Sequence, residues 1–338
     1  MRRRSLLCAL VATLAVAPAG AGKSTPSWAQ AEINAVVAAG LMADHPTKFR
    51  PDDPLTRGAL EQLVAGLTDS KPVTPANPAA NVTMAALDAR LVGALGLTDA
   101  SRLFADGGRA AGLAVPSRFG SEATARLLGL RTNHPAAQDG LELLPTDTAT
   151  RAEAAFSAAK ILRFGGWEAQ AARGAAATFV LPQLTAWQKR ILTTAFRFIG
   201  YPYVWGGTSD QAEAPFGRPA RGGFDCSGFV WRVYKLEAYS SAGRLADTLR
   251  GRTTYAMSGE VPAAKRISLA KLQPGDLVFF GRGPSSKPAQ IGHMGIYAGN
   301  GWFVHSSGYG VALAQLTGWY RSSFAWGRRP LAEAGLSG

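Results

Sequence analysis

The stretch that decides the fold of the second half of the chain is Phe224-Asp225-Cys226-Ser227-Gly228-Phe229-Val230-Trp231. Apolar residues follow Cys226 at intervals of three, four and seven positions, which predicts a helix with the cysteine on its buried face in the first turn. The free backbone N–H groups and the dipole at a helix start favour a thiolate there. The neighbouring Asp225 opposes a second negative charge. The stretch therefore predicts a candidate nucleophile that needs a base nearby.

Two histidines downstream lie in sequence typical of β-strands and can supply that base. The segments 293–298 and 302–305 flank Gly299-Asn300-Gly301, which predicts a hairpin. A loop centred on Gly299 places His293 opposite His305 on one face of the sheet. A two-residue turn at Asn300-Gly301 would instead pair His305 with Ile296 and point the histidines to opposite faces. A catalytic role for both histidines requires the first register or an equivalent bulge.

With that register, the three side chains form a nucleophile, a base and an orienting group. A neutral His293 can take the proton of Cys226 and return it to a leaving amine. His305 would hold the His293 ring in the required tautomer. The pattern predicts amide hydrolysis through an acyl-enzyme, with no metal and no cofactor.

The beginning of the chain predicts export. Three arginines at positions 2–4 precede an apolar run from Leu6 to Ala17, and Ala19-Gly20-Ala21 is a small-residue cleavage site. We interpret residues 1–21 as a signal peptide, because the run is too short to span a bilayer, and we expect no stable membrane insertion. Removal of Cys8 with this segment leaves Cys226 without a partner for a disulfide within the chain.

Positive charge is concentrated in the second half. Residues 184–338 carry 18 Lys and Arg against 8 Asp and Glu, whereas residues 22–183 carry 15 of each. A basic surface suits anionic cell-wall polymers or serves solubility. We expect no nucleic-acid partner, because the chain is exported and shows no basic cluster with interleaved aromatics.

The first half, residues 28–164, predicts a helical domain. Leu55-Thr56-Arg57-Gly58-Ala59-Leu60 and Ala149-Thr150-Arg151-Ala152-Glu153-Ala154 each open an apolar helix, and Lys48-Phe49-Arg50-Pro51-Asp52-Asp53-Pro54 precedes the first. Together these stretches resemble S-layer homology repeats, with 82–119 as a degenerate third unit. The resemblance implies binding to wall polymers. A helical domain that only packs beside the second half, or hinders it, is the alternative.

Two further expectations concern the first half and its end. Residues 165–183, with Gly165-Gly166 and an alanine-rich stretch, predict a linker between the halves. His45 and His134 lie in polar turns without cysteines or paired carboxylates at ligand spacing, so we interpret them as surface histidines and not as metal ligands.

The second half resembles the NlpC-type cell-wall cysteine peptidases, the NlpC/p-sixty proteins. The matching residues occur in the family's order across 184–331: Tyr203-Val204-Trp205-Gly206-Gly207, Asp225-Cys226-Ser227-Gly228, Arg252-Thr253-Thr254, Leu272-Gln273-Pro274-Gly275-Asp276, His293-Met294-Gly295 and His305. The resemblance implies an α+β, papain-like domain whose nucleophile helix packs on an antiparallel sheet.

The same resemblance implies a substrate and further site residues. It implies hydrolysis of the bond between D-glutamate and the diamino acid of peptidoglycan stem peptides, by a secreted or wall-associated enzyme. Tyr203 would help to bind the oxyanion, and Asp225 and Ser227 would line the subsite for the substrate's amino end. The residues themselves leave simpler roles open: Asp225 as a helix cap, Ser227 as a first-turn residue and Tyr203 as part of the core.

Other functions fit the same pattern. A cysteine amidase or acyltransferase would use the same Cys and His pair, and a non-catalytic wall-binding module could keep the fold. The insertion at 208–223 departs from the family's pattern. We expect it to narrow the cleft or to select the substrate.

Overall fold

A computed structural model describes residues 26–336, so the predicted signal peptide lies outside the described residues. In the first half the helices are α1 (Gln30–Ala38), α2 (Arg57–Leu67), α3 (Met84–Ala94), α4 (Thr98–Ala110), α5 (Phe119–Leu127), α6 (Arg151–Ile161) and α7 (Trp167–Ala177). In the second half they are α8 (Ala186–Arg197), α9 (Cys226–Trp231), α10 (Leu245–Thr248), α11 (Thr254–Gly259), α12 (Gly318–Ser323) and α13 (Pro330–Glu333). No described helix is both long and apolar enough to cross a bilayer.

The second half is built on one antiparallel sheet. Its strands are β3 (Leu277–Phe280), β4 (His293–Gly299), β5 (Trp302–Ser307), β6 (Gly310–Gln315) and β7 (Phe324–Arg328), and a separate small pair joins β1 (Thr208–Ser209) to β2 (Gly223–Phe224). The order in the large sheet is β6-β5-β4-β3-β7. Helix α9 packs against β4 and β5. This confirms the predicted α+β class, with the nucleophile helix on an antiparallel sheet behind a helical domain.

The helical half contains three similar units that meet at a ring of backbone hydrogen bonds. Leu55 N donates to Ala149 O (2.8 Å), Ala149 N to Val82 O (2.8 Å) and Val82 N to Leu55 O (2.9 Å). Each of these residues precedes a threonine that caps the next helix, at positions 56, 83 and 150. The degenerate unit expected after residue 82 therefore takes the same place in the ring as the two recognisable copies.

The two halves share one hydrophobic core. Phe119 of α5 stacks on Phe196 of α8 with ring centroids 5.1 Å apart, and Phe104 of α4 meets Trp302 of β5 edge to face at 5.8 Å. Phe179, which lies in the segment expected to be a linker, contacts Phe104 of the first half and Trp302 of the second. That segment also contains helix α7, which packs against α4. Residues 165–183 are thus part of the folded interface between the halves.

His134 is buried, and the prediction of a surface histidine is wrong for it. Its ring lies 4.5 Å from that of Trp28, edge to face, and its Nε2 is 3.6 Å from a carboxylate oxygen of Glu153. Glu153 belongs to α6, so the turn that carries His134 lies against this helix, and Glu142 within the same turn accepts the His134 backbone N–H at 2.6 Å. His45 is exposed, as expected.

Candidate active site

Cys226 is the first residue of helix α9, as the apolar spacing predicted. Asp225 caps this helix by accepting the backbone N–H of Gly228. A Cβ atom at Gly228 would lie 1.8 Å from the carbonyl oxygen of Gly207, so glycine is required where α9 passes this loop. The cysteine is therefore fixed by tight packing at the start of its helix.

The surroundings of Cys226 include groups that raise the pKa of its thiol and groups that lower it. Burial raises the pKa of the thiol, and the charge of Asp225 raises it further. A hydrogen bond with the Thr254 hydroxyl, at 3.4 Å, and the backbone N–H groups of Ser227 and Met294 lower it. The net direction is upward, so the resting cysteine favours the thiol.

The two predicted histidines lie side by side on one face of the sheet. His293 Nε2 is 2.8 Å from His305 Nδ1. The hairpin begins with the two-residue turn at Asn300-Gly301, and both residues have positive φ. A bulge at position 298 then shifts the register by one residue, from Gly299 opposite Trp302 to Tyr297 opposite Phe303. Neither simple register occurs, and the bulge returns both histidines to the same face.

Both imidazoles are neutral. Burial lowers the pKa of His293 to about 4, and burial together with the neighbouring His293 lowers that of His305 well below its ordinary value. Aromatic rings enclose the pair: Phe280 stacks on His293 at 5.8 Å, and Tyr320 meets His305 at 5.3 Å. The hydrogen bond to His305 occupies Nε2 of His293, which leaves Nδ1 as the nitrogen available to other groups.

Cys226, His293 and Tyr203 line one cleft of about 820 Å³. The pKa of Tyr203 is raised, first by burial and then by the negative charges that Cys226 and Asp225 carry when they are ionised, so its hydroxyl stays protonated in the cleft. Every described residue that lines this cleft lies at position 203 or later. The described residues of the helical half therefore do not line the cleft.

Asp225 and Ser227 lie in the cleft wall but are already occupied by other contacts. Arg252 bridges them: its Nη1 is 2.7 Å from Ser227 Oγ and 3.2 Å from Asp225 Oδ1, and its Nη2 is 3.3 Å from Asp225 Oδ2. Ser227 Oγ also donates to Asp225 Oδ1 (2.9 Å), and the Gly206 N–H donates to Oδ2 (3.0 Å). These contacts favour a structural role for Asp225, and direct binding of substrate by it and by Ser227 stays a prediction.

Sequence reasoning assigned no role to Arg252 or Thr254. Both belong to the quoted stretch Arg252-Thr253-Thr254, but their contacts with Ser227 and Cys226 join residues 25 and 28 positions apart, which no local pattern reveals. The insertion contributes Phe216, which lies at the rim of the cleft, is 79% exposed and has a backbone φ of +52°.

Within the described residues, no group of three or more acidic, histidine or cysteine side chains could hold a metal ion.

A helix that begins with a cysteine, packed on an antiparallel sheet that carries paired histidines, defines a papain-like cysteine site. Residues 200–329 match the model of the NlpC/P60 family, and residues 21–60 match that of the S-layer homology domain. These matches agree with the two resemblances of the sequence motifs: an NlpC-type second half and an S-layer homology unit at the start of the helical half.

The similar proteins each match less than half of the chain. The gamma-D-glutamyl-L-lysine dipeptidyl-peptidase of Bacillus subtilis is 32% identical over 38% of this chain and 34% of its own length. The probable peptidoglycan endopeptidase LytE of the same species is 34% identical over 39% of this chain and 30% of its own. A crystal structure of an NlpC/P60 family protein from Bacillus cereus covers 45% of this chain and 42% of its own, at 25% identity and a TM-score of 0.33. The chain thus spans about a third of the length of these curated relatives.

Proposed function

We propose that this protein is a peptidoglycan endopeptidase that hydrolyses stem peptides with Cys226 as nucleophile, His293 as base and His305 as orienting group. The observation that carries the proposal is that His293 and Cys226 line the same cleft while His293 Nε2 lies 2.8 Å from Nδ1 of the buried His305. The family match and the names of the relatives support the choice of peptidoglycan as substrate.

Acylation begins with proton transfer between neutral groups. His293 Nδ1 takes the Cys226 proton while the sulfur attacks the amide carbon, and the Nε2–H group of the same ring donates to His305 Nδ1. The negative charge moves to the amide oxygen. The Tyr203 hydroxyl and the backbone N–H groups in the first turn of α9 stabilise this oxyanion.

The leaving group departs and water completes the cycle. His293 returns the proton to the amine nitrogen, the C–N bond breaks, and a thioester to Cys226 remains. His293 then removes a proton from water, which attacks the thioester carbon. The acid leaves, and the returning proton restores the thiol.

We propose the amide between D-glutamate and the diamino acid as the bond that is cut, in a protein exported to the cell wall. The helical half would add affinity for anionic wall polymers. Mass analysis of the fragments released from purified peptidoglycan tests the bond. A product with a free amino group on the diamino acid and a new carboxylate on glutamate supports it, whereas cleavage at the sugar–peptide amide would favour the amidase alternative.

A further inference from the structure

The hydroxyl of Thr254 is placed against the nucleophile. Its Oγ1 lies 3.4 Å from Cys226 Sγ, and Thr254 itself is only 7% exposed. Among residues 26–336, no other group forms a hydrogen bond with this hydroxyl. The buried hydroxyl therefore has the sulfur as its partner.

Helix α11 holds Thr254 rigidly in this place. Thr253 caps the helix by accepting the Ala256 N–H at 3.3 Å. At the other end Glu260 accepts the Gly251 N–H at 2.5 Å and Arg328 Nη1 at 2.7 Å. These hydrogen bonds fix both ends of α11. The hydroxyl is therefore placed next to the sulfur without the loss of conformational entropy that ordering a mobile loop would cost.

The site needs a donor for the thiolate, and the histidines do not supply a cation at rest. A deprotonated sulfur can only accept hydrogen bonds, so the Thr254 hydroxyl must donate when the thiolate forms. Burial and the Asp225 carboxylate both act against that anion. His293 and His305 are neutral. The neutral Thr254 hydroxyl therefore supplies part of the stabilisation of the thiolate that a charged imidazolium would otherwise supply.

We propose that Thr254 is a catalytic residue of the proposed reaction, whose hydroxyl donates to the Cys226 thiolate and raises the fraction of sulfur in the reactive form. This inference rests on the proposed function for its catalytic meaning. The hydrogen bond itself can be tested without any substrate.

The test is the pH dependence of Cys226 alkylation by iodoacetamide in the full chain, with mass analysis of the peptide to exclude signal from Cys8. Thr254→Val and Thr254→Ala remove the hydroxyl, and Thr254→Ser keeps it. We expect the alkylation midpoint to rise by about one pH unit in the Val and Ala variants, so that thiolate is about tenfold scarcer near neutral pH. The Ser variant should stay within about twofold of the parent rate, because it keeps the donor.

Two results would overturn the proposal: an unchanged midpoint in the folded Val or Ala variant, or equal shifts in all three variants, which would assign the effect to packing. Thermal unfolding shows which variants are folded, and the use of two hydroxyl-free variants keeps the test valid if one of them fails to fold.

In wall digestion we expect the Thr254→Val variant to have a lower kcat and a KM that changes little. If the parent protein fails to cleave peptidoglycan, the proposed function fails, while the alkylation result still decides the hydrogen bond.

Discussion

The Nε2 atom of His293 lies 2.8 Å from the Nδ1 atom of His305, although the two residues are not directly opposite each other in the hairpin. The bulge at position 298 sets a register in which His305 faces Gly295. A Cβ atom at Gly295 would lie 3.1 Å from the Cβ of His305, so glycine leaves the room in which the His305 ring can turn toward His293. The diagonal pair depends on this small residue as well as on the bulge.

His305 should affect turnover more than binding. We expect His305→Ala to lower kcat by roughly 10²-fold, because the His293 ring loses the group that fixes its tautomer. His305→Asn keeps a side-chain acceptor and should lose less. Steady-state kinetics on a soluble stem peptide measures both variants, and an equal rise in KM with unchanged kcat would contradict the orienting role.

Stability should depend on pH through His293. Its pKa is about 4 in the folded chain because of burial, below the ordinary value of 6.5, so the unfolded chain binds the proton more tightly. Its contribution to the free energy of unfolding is fully present above about pH 6.5 and is lost as pH falls toward 4. Urea unfolding between pH 4 and 7 should show this slope in the parent and a smaller one in His293→Gln. Parallel curves would contradict the buried, neutral assignment.

Arg252 should stabilise the cleft wall. Arg252→Ala leaves the carboxylate of Asp225, whose side chain is 12% exposed, without its charged partner. We expect a loss of about 1–3 kcal/mol in the free energy of unfolding. This loss is smaller than that for breaking a fully buried ion pair, because the Arg252 side chain is 30% exposed to solvent. The matched control is Arg50→Ala, which breaks the exposed pair with Asp53 and should cost less than about 1 kcal/mol. Equal losses in urea unfolding would contradict the prediction.

The two halves should unfold together. Phe119→Ala removes a fully buried ring at their junction and should cost about 3–5 kcal/mol in a single cooperative transition. Truncation to residues 184–338 should expose Phe196 and Trp302. We therefore expect the truncated chain to aggregate and not to gain activity. A soluble truncated protein with full wall-degrading activity would disprove this coupling.

The insertion should influence substrate binding through Phe216. Phe216→Ala should raise KM for stem-peptide fragments several-fold with little change in stability, because the ring is exposed at the cleft rim. Trp167→Ala, which removes an aromatic that is 68% exposed and lies outside this cleft, is the control. If both variants change KM equally, Phe216 has no specific role.

Local patterns predicted the parts of this molecule that depend on nearby residues. The threonine caps at positions 56 and 150, the helix that starts at Cys226 and the hairpin after His293 are all encoded within a few positions. The S-layer and NlpC-type motifs predicted the two families whose models match residues 21–60 and 200–329.

The remaining features depend on tertiary packing. The bulge at position 298 sets which face of the sheet the histidines share, and α7 packs against α4. The polar turn around His134 is buried because Glu142 and Glu153 lie against it. Arg252 and Thr254 approach Cys226 from a distant part of the chain. Such contacts leave no periodic signal in the sequence.

The central claim is that Cys226 attacks an amide of the peptidoglycan stem, and the most direct measurement is the release of new amino groups from purified peptidoglycan by the full chain and by Cys226→Ala. We expect release by the parent and none above background by a folded Cys226→Ala variant. Undiminished release by that variant would contradict it.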